Sequence, residues 1–103
     1  QMTTEDLGRQ LTDITVIDVR RDDEWEEGHI PGAIHIPLSA LSKRISEIPR
    51  NKEIAVHCQG GTRSAIAASI LEKNGIHATN IPGGFSEWLK TGGAVEREGT
   101  ARK

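Results

Sequence analysis

Glu53-Ile54-Ala55-Val56-His57-Cys58-Gln59-Gly60-Gly61-Thr62-Arg63-Ser64 is the stretch on which the fold turns. Ile54-Ala55-Val56 is a continuous apolar run of strand length, and Ser64 to Lys73 reads as a helix that Asn74-Gly75 ends. A buried strand therefore passes directly into a helix through a loop holding two adjacent glycines. Glycine reaches positive φ at no steric cost and leaves no side chain in the way, so the backbone can turn tightly there. Successive amide N–H groups can then point inward as a nest, with the helix N-terminus behind them.

Working outward, the same alternation repeats. Upstream, Ile14 to Val19 is β-branched and apolar and predicts a strand. Asp22 to Glu27 follows as the acidic first turn of a helix, where carboxylates oppose the positive dipole end. Ala33 to Ile36 predicts a short strand between Pro31-Gly32 and Pro37, and Leu38, Leu41, Ile45 and Ile48 then fall at helical spacing. Thr3 or Thr4 caps a short first helix carrying Leu7 and Leu11. Downstream, in the helix after Gly61, Ile66 and Ile70 stack with Ala67 and Leu71 beside them. Ile76 to Ile81 predicts another strand, and Phe85, Trp88 and Leu89 mark the inner face of a last helix.

Strands alternating with helices give an α/β domain with a mostly parallel sheet covered on both faces. Ligands in such sheets gather beyond the carboxyl ends of the strands. The loops after Val19, His57 and Ile81 share that edge, while Gly28 to Gly32 leads into a strand and is expected at the opposite one. Residues 1–103 are read as one domain with a core over about 3–95 and a loose polar tail over 96–103.

The composition narrows the function. Thirteen basic and fifteen acidic residues leave a net charge of −2, which provides no footprint for nucleic acid, and no basic run suggests a membrane surface. The longest apolar stretch, Ala65 to Leu71, is too short to span a bilayer. Cys58 is the single cysteine, so no internal disulfide can form, which suits a reducing, cytoplasmic setting. His29, His35, His57 and His77 are scattered and lack a second cysteine, so neither a metal site nor a cofactor is expected. His57 adjoins Cys58, but strand neighbours point to opposite faces, which favours a structural role.

Cys58 opens the glycine loop, and its surroundings suit a nucleophile. Gln59, Gly60 and Gly61 supply amides, Thr62 and Ser64 add hydroxyls, and Arg63 adds a fixed charge with a planar fork of donors. Helix N-termini and nearby cations bring cysteine pKa values to roughly 3.5–7.5, so a thiolate forms without a separate general base.

The Cys-x-x-x-x-Arg loop with its following Ser resembles the active-site loop of rhodaneses. Val16-Ile17-Asp18-Val19-Arg20, Gly28-His29-Ile30-Pro31-Gly32-Ala33 and Pro82-Gly83-Gly84-Phe85 with Trp88 resemble further features of that family, in the same order. Phe85 stands where many members carry Trp. The resemblance implies a three-layer rhodanese-like domain and a two-step cycle. Cys58 takes the outer sulfur of thiosulfate or a persulfide, then passes it to a thiol or cyanide. It also implies that Asp18 helps hold the loop. Arg20 is a weaker candidate for the same task, and a surface or strand-end salt bridge is the expected reading for it.

Four residues separate Cys58 from Arg63. Related dual-specificity cell-cycle phosphatases carry one more, a wider ring that encloses a phosphoryl group, so phosphatase or arsenate reductase chemistry is not expected. The implied partners are a small-molecule sulfur donor and a thiol acceptor. The loop also resembles those of rhodanese domains fused to metallo-β-lactamase-type persulfide dioxygenases. With Gln1 standing ahead of Met2, that likeness raises the alternative of a sulfur-relay or regulatory module in a larger protein with a fused or partner sulfur-metabolism enzyme.

Overall fold

Residues apolar on successive positions bury both faces of a strand, and two such runs lie side by side at the centre of this chain. The computed structural model describes residues 1–97. β1 (Ile14–Asp18) pairs in parallel with β3 (Glu53–His57) from Ile14 opposite Glu53 to Asp18 opposite His57. β2 (Ile34–His35) flanks β1 and β4 (Ala78–Asn80) flanks β3, giving the order β2-β1-β3-β4 with every pair parallel. Because β1 and β3 are in register to their last residues, Asp18 and His57 end at one level, and the loops that follow leave the sheet at the same edge.

Side chains alternate across the sheet and build two cores. Ile17, Ile54 and Val56 point to one face, where α3 (Thr62–Lys73) contributes Ala67 and Leu71 and the segment after β2 contributes Leu41 and Ile48. Val16 and Ala55 point to the other, beneath Leu7 of α1 (Thr4–Arg9) and Phe85 and Trp88 of α4 (Gly84–Lys90). α2 (Asp22–Glu27) fills the connection from β1 to β2. The layers are those expected of an α/β domain with a parallel sheet, and Thr3 caps α1 by accepting from the Asp6 amide at 3.0 Å. Among the described residues no helix is long and apolar enough to cross a membrane.

Several local expectations are corrected. Leu38 to Ile48 is not one α-helix but two 3₁₀ segments, Leu38–Lys43 and Ile45–Glu47. The pairs Leu38/Leu41 and Ile45/Ile48 are three apart, a spacing that three residues per turn serves as well as 3.6 does. Pro37 and Pro49 bound the stretch, and Ser39, Ser42 and Ser46 compete for backbone groups within it. In α3 the fully buried pair is Ala67 and Leu71, while Ile66 is 50% exposed. Apolar residues crowd most of that helix, so periodicity alone did not select its inner face. Leu89 is likewise 49% exposed, and Phe85 and Trp88 are the large apolar side chains that α4 buries. The tail begins later than expected: Glu96 forms an antiparallel bridge with His29, exchanging backbone hydrogen bonds of 2.9 and 2.8 Å. The remainder of the expected loose tail, 98–103, lies outside the described residues.

Leu41 is fully buried whereas Ile66 and Leu89 are half exposed. Leu41→Ala is therefore expected to cost about 2–5 kcal/mol through lost burial and a residual cavity. Ile66→Ala and Leu89→Ala are expected to stay within about 0.5 kcal/mol of the native chain. Denaturant midpoints of the three variants check the assignment of faces.

Candidate active site

The loop from Cys58 to Gly61 is shaped by a second loop that packs against its back. The amides of Phe85 and Ser86, at the start of α4, donate to the carbonyls of Cys58 and Gln59 at 2.8 and 3.1 Å. Gly84 makes this approach possible. It adopts φ +59°, and a Cβ there would lie 2.5 Å from the Cys58 oxygen and 2.6 Å from that of Gln59. Gly61 is the reciprocal contact, at φ +108° with a notional Cβ 2.5 Å from the Pro82 oxygen. Two loops thus meet backbone to backbone, with glycine at each point of closest approach.

With the carbonyls drawn outward, donors face the sulfur. The Gly61 amide donates to Cys58 Sγ at 3.0 Å. Sγ and Ser64 Oγ lie 3.5 Å apart, so the thiol donates to the hydroxyl, and the thiolate can accept from it. Ser64 Oγ also donates to the Gly61 carbonyl at 3.2 Å, which fixes the hydroxyl. Burial pushes the Cys58 thiol up. Hydrogen bonds from the Ser64 hydroxyl and the Ser64, Gly61 and Gly60 amides outweigh it and hold the thiol below its ordinary value. The result is a cysteine sulfur whose ionised form is favoured by loop amides and the Ser64 hydroxyl.

The other loop residues have divided tasks. Gln59 serves as a strut: its Oε1 accepts from Arg20 Nη1 at 3.0 Å and its Nε2 donates to Ser86 Oγ at 3.0 Å. Gly60 is exposed at the turn, as is Thr62, and the Thr62 side chain contributes nothing to the sulfur's hydrogen bonds. Arg63 turns to α2, donating from Nη1 to Glu24 Oε1 at 2.7 Å and from Nη2 to Oε2 at 3.1 Å.

Glu24 is the residue that sequence reasoning missed, having been taken as helix chemistry only. Arg63 holds its carboxyl down at about 2, with help from the Arg21 amide, which donates to Oε1 at 2.9 Å. The acidic run gave a signal for the helix, but nothing in it marked Glu24 over its neighbours as the partner of a residue 39 positions away.

Asp18 and Arg20 lie behind the loop. Asp18 is fully buried and accepts from the Arg20 backbone amide and Nε at 3.0 Å each and from Nη2 at 2.8 Å. Arg20 is only 2% exposed, so its salt bridge to Asp18 does stand at the end of β1, but buried and not at the surface. Its guanidinium also donates to the Gly28 carbonyl at 2.7 Å and stacks 4.2 Å over the Phe85 ring. Arginine is seldom buried unless paired, and here every face of the group is occupied. The Gly28 contact corrects a second expectation. Gly28 lies at the site edge of the sheet, and only Pro31-Gly32 turns near Ile14 and Lys52 at the far edge.

The histidines are less scattered than the sequence suggested. His29 and His35 both stack on Trp25 of α2, with centroids 3.5 and 4.8 Å away. His57 is structural in its contacts: Nδ1–H donates to the Cys58 carbonyl at 3.0 Å, and burial holds its pKa below the ordinary value. Among the described residues no group of three or more His, Cys, Asp or Glu is placed to hold a metal ion.

Comparison with known proteins agrees with this geometry. The family profile of the Rhodanese-like domain matches residues 3–91. The uncharacterized protein YqhL of Bacillus subtilis is 42% identical over 88 residues, covering 84% of this chain and 70% of that protein. A sulfurtransferase of Allochromatium vinosum is 30% identical over 96 residues, covering 89% of this chain and 90% of the relative. The crystal structure of a rhodanese-related protein from Thermoplasma volcanium superimposes with a TM-score of 0.90 at 34% identity, covering 95% of this chain and 98% of the other. Two further relatives are much longer, the chain spanning 41% and 40% of their length.

Two outcomes follow from the site. A lowered thiol pKa means that thiolate persists to lower pH, so the alkylation rate of Cys58 should reach half its plateau below the free-thiol value of about 8.5. Ser64→Ala removes one donor and should move that midpoint upward, as read from iodoacetamide rates against pH. Arg20→Ala leaves Asp18 buried and unpaired, and should lower stability by about 3–5 kcal/mol, measured by denaturant unfolding.

Proposed function

The chain belongs to the Rhodanese-like domain family, and on that premise we propose that it is a sulfurtransferase that carries sulfur as a persulfide on Cys58. The observation that carries this reading is the single cysteine sulfur receiving the Gly61 amide at 3.0 Å inside a ring of loop amides. The Cys58 thiolate attacks the outer sulfur of thiosulfate or of a persulfide. One S–S bond forms as the donor's breaks, and sulfite or a thiolate leaves with the electron pair. The persulfide's outer sulfur carries negative charge, and the amides of Gly60, Gly61 and Ser64 are the donors available to it. A thiolate acceptor, or cyanide, then attacks that outer sulfur and returns Cys58 to its cradle. Asp18, Arg20 and Gln59 act by holding the loop.

The greater length of some relatives favours a second setting for the same chemistry, a sulfur relay inside a larger protein. The persulfide step is common to both settings.

Intact-mass measurement after parallel incubation with thiosulfate, glutathione persulfide and mercaptopyruvate tests the proposal. With a competent donor the chain should gain the mass of one sulfur atom, and cyanide should remove it. Cys58→Ser should show neither adduct nor turnover. Continued transfer by that variant, or hydrolysis of an aryl phosphate by a native chain that never forms a persulfide, would overturn the reading.

A further inference from the structure

Among the described residues, both arginines in contact with the Cys58 loop are engaged by carboxylates. Arg20 and Arg63 are, among the described residues, the cations that touch the loop or belong to it, and each is held by a carboxylate through two nitrogens. Arg20 gives Nε and Nη2 to Asp18, and Arg63 gives Nη1 and Nη2 to Glu24. The Arg63 pair is well shielded, its side chains 29% and 17% exposed, so its charges screen each other more than they are screened by water. The Arg63 guanidinium also lies within electrostatic reach of Cys58. Arg21 is engaged by Asp23, and Arg97 borders the adjoining groove together with Glu27.

We propose that Glu24 is a specificity-determining residue: by occupying both arms of Arg63 it denies that cation to a dianionic donor and directs Cys58 toward persulfides. This rests on the reading of Cys58 as the sulfur acceptor. Thiosulfate brings two negative charges to a sulfur whose hydrogen bonds come from neutral loop donors, while the nearby Arg63 charge is offset by Glu24. Attack on its outer sulfur forms the new S–S bond and expels sulfite with the electron pair, so the dianion's charge must be accommodated through the whole step. An alkyl persulfide gives the same product and expels an alkyl thiolate, carrying less charge to the loop. Glu24 acts through Arg63 and touches no reacting atom, so its effect belongs in the discrimination between donors.

The test compares kcat/KM for thiosulfate with that for cysteamine persulfide, whose ammonium offsets its sulfur charge. Glu24→Gln retains the shape of the side chain but cannot accept from both arms of Arg63. The ratio of thiosulfate to cysteamine persulfide should rise about tenfold, equivalent to about 1.4 kcal/mol. Adding Arg63→Met should abolish the gain, because the released cation is its source. A second measurement needs no variant: raising the ionic strength should accelerate loading of native Cys58 by thiosulfate, as expected for repulsion between like charges, and should slow it in Glu24→Gln. A ratio that stays within twofold of native, or a native thiosulfate rate that falls with salt, overturns the assignment while leaving the persulfide reading intact. Failure of both donors to load native Cys58 overturns both.

Discussion

Two hydrogen bonds from the first turn of α4 govern the site. A peptide unit is planar and trans, so its carbonyl and the following amide point in opposite directions. When Phe85 and Ser86 draw the carbonyls of Cys58 and Gln59 outward, the amides of Gln59 and Gly60 are turned the other way. The Gly60 donor on the sulfur's side is therefore a consequence of the Gln59 carbonyl being satisfied on the opposite side. The glycines at 61 and 84 matter for the same reason, since a Cβ at either would push the two loops apart. The cradle is made of backbone, and the backbone is aimed by its neighbours.

The side chains around it act as ties between elements that the sheet brings to one edge. Asp18 ends β1, Arg20 bridges it to Gln59, and Gln59 reaches Ser86 on α4. The guanidinium stacked on Phe85 and bonded to the Gly28 carbonyl brings α2 and α4 into the same network. Buried ion pairs are expensive to desolvate, and this one is tolerable because each nitrogen of Arg20 finds an acceptor. A network so fully connected favours one arrangement of loops over many of similar energy.

What the sequence made legible is local, and what it hid is distant. Cys58 to Ser64 is contiguous, so its strand, turn and helix could be read directly and its anion-binding character inferred. The parallel sheet followed from the alternation of elements. Glu24 was missed, and the burial of Arg20 with it, because Arg63 and Gln59 lie 39 residues from them and charge pattern carries no information about such pairings, whereas the Arg20 partner Asp18 is local. Within α3 the sequence offered Ile66, Ala67, Ile70 and Leu71 together, and only packing separates them: Ala67 and Leu71 are fully buried, Ile70 packs against the core and Ile66 is half exposed. Gly28 was placed at the wrong edge since a strand's start says nothing of where the preceding helix must return.

The dependence of the cradle on α4 also has a meaning in time. A ribosome delivers Cys58 well before Phe85 and Ser86, and during that interval β3 and its following loop exist without the two amides that orient them. Until α4 docks, the growing chain lacks the two amides that draw the Cys58 and Gln59 carbonyls away from the sulfur. In this order of emergence the loop is completed by the docking of α4 and not by the arrival of the cysteine.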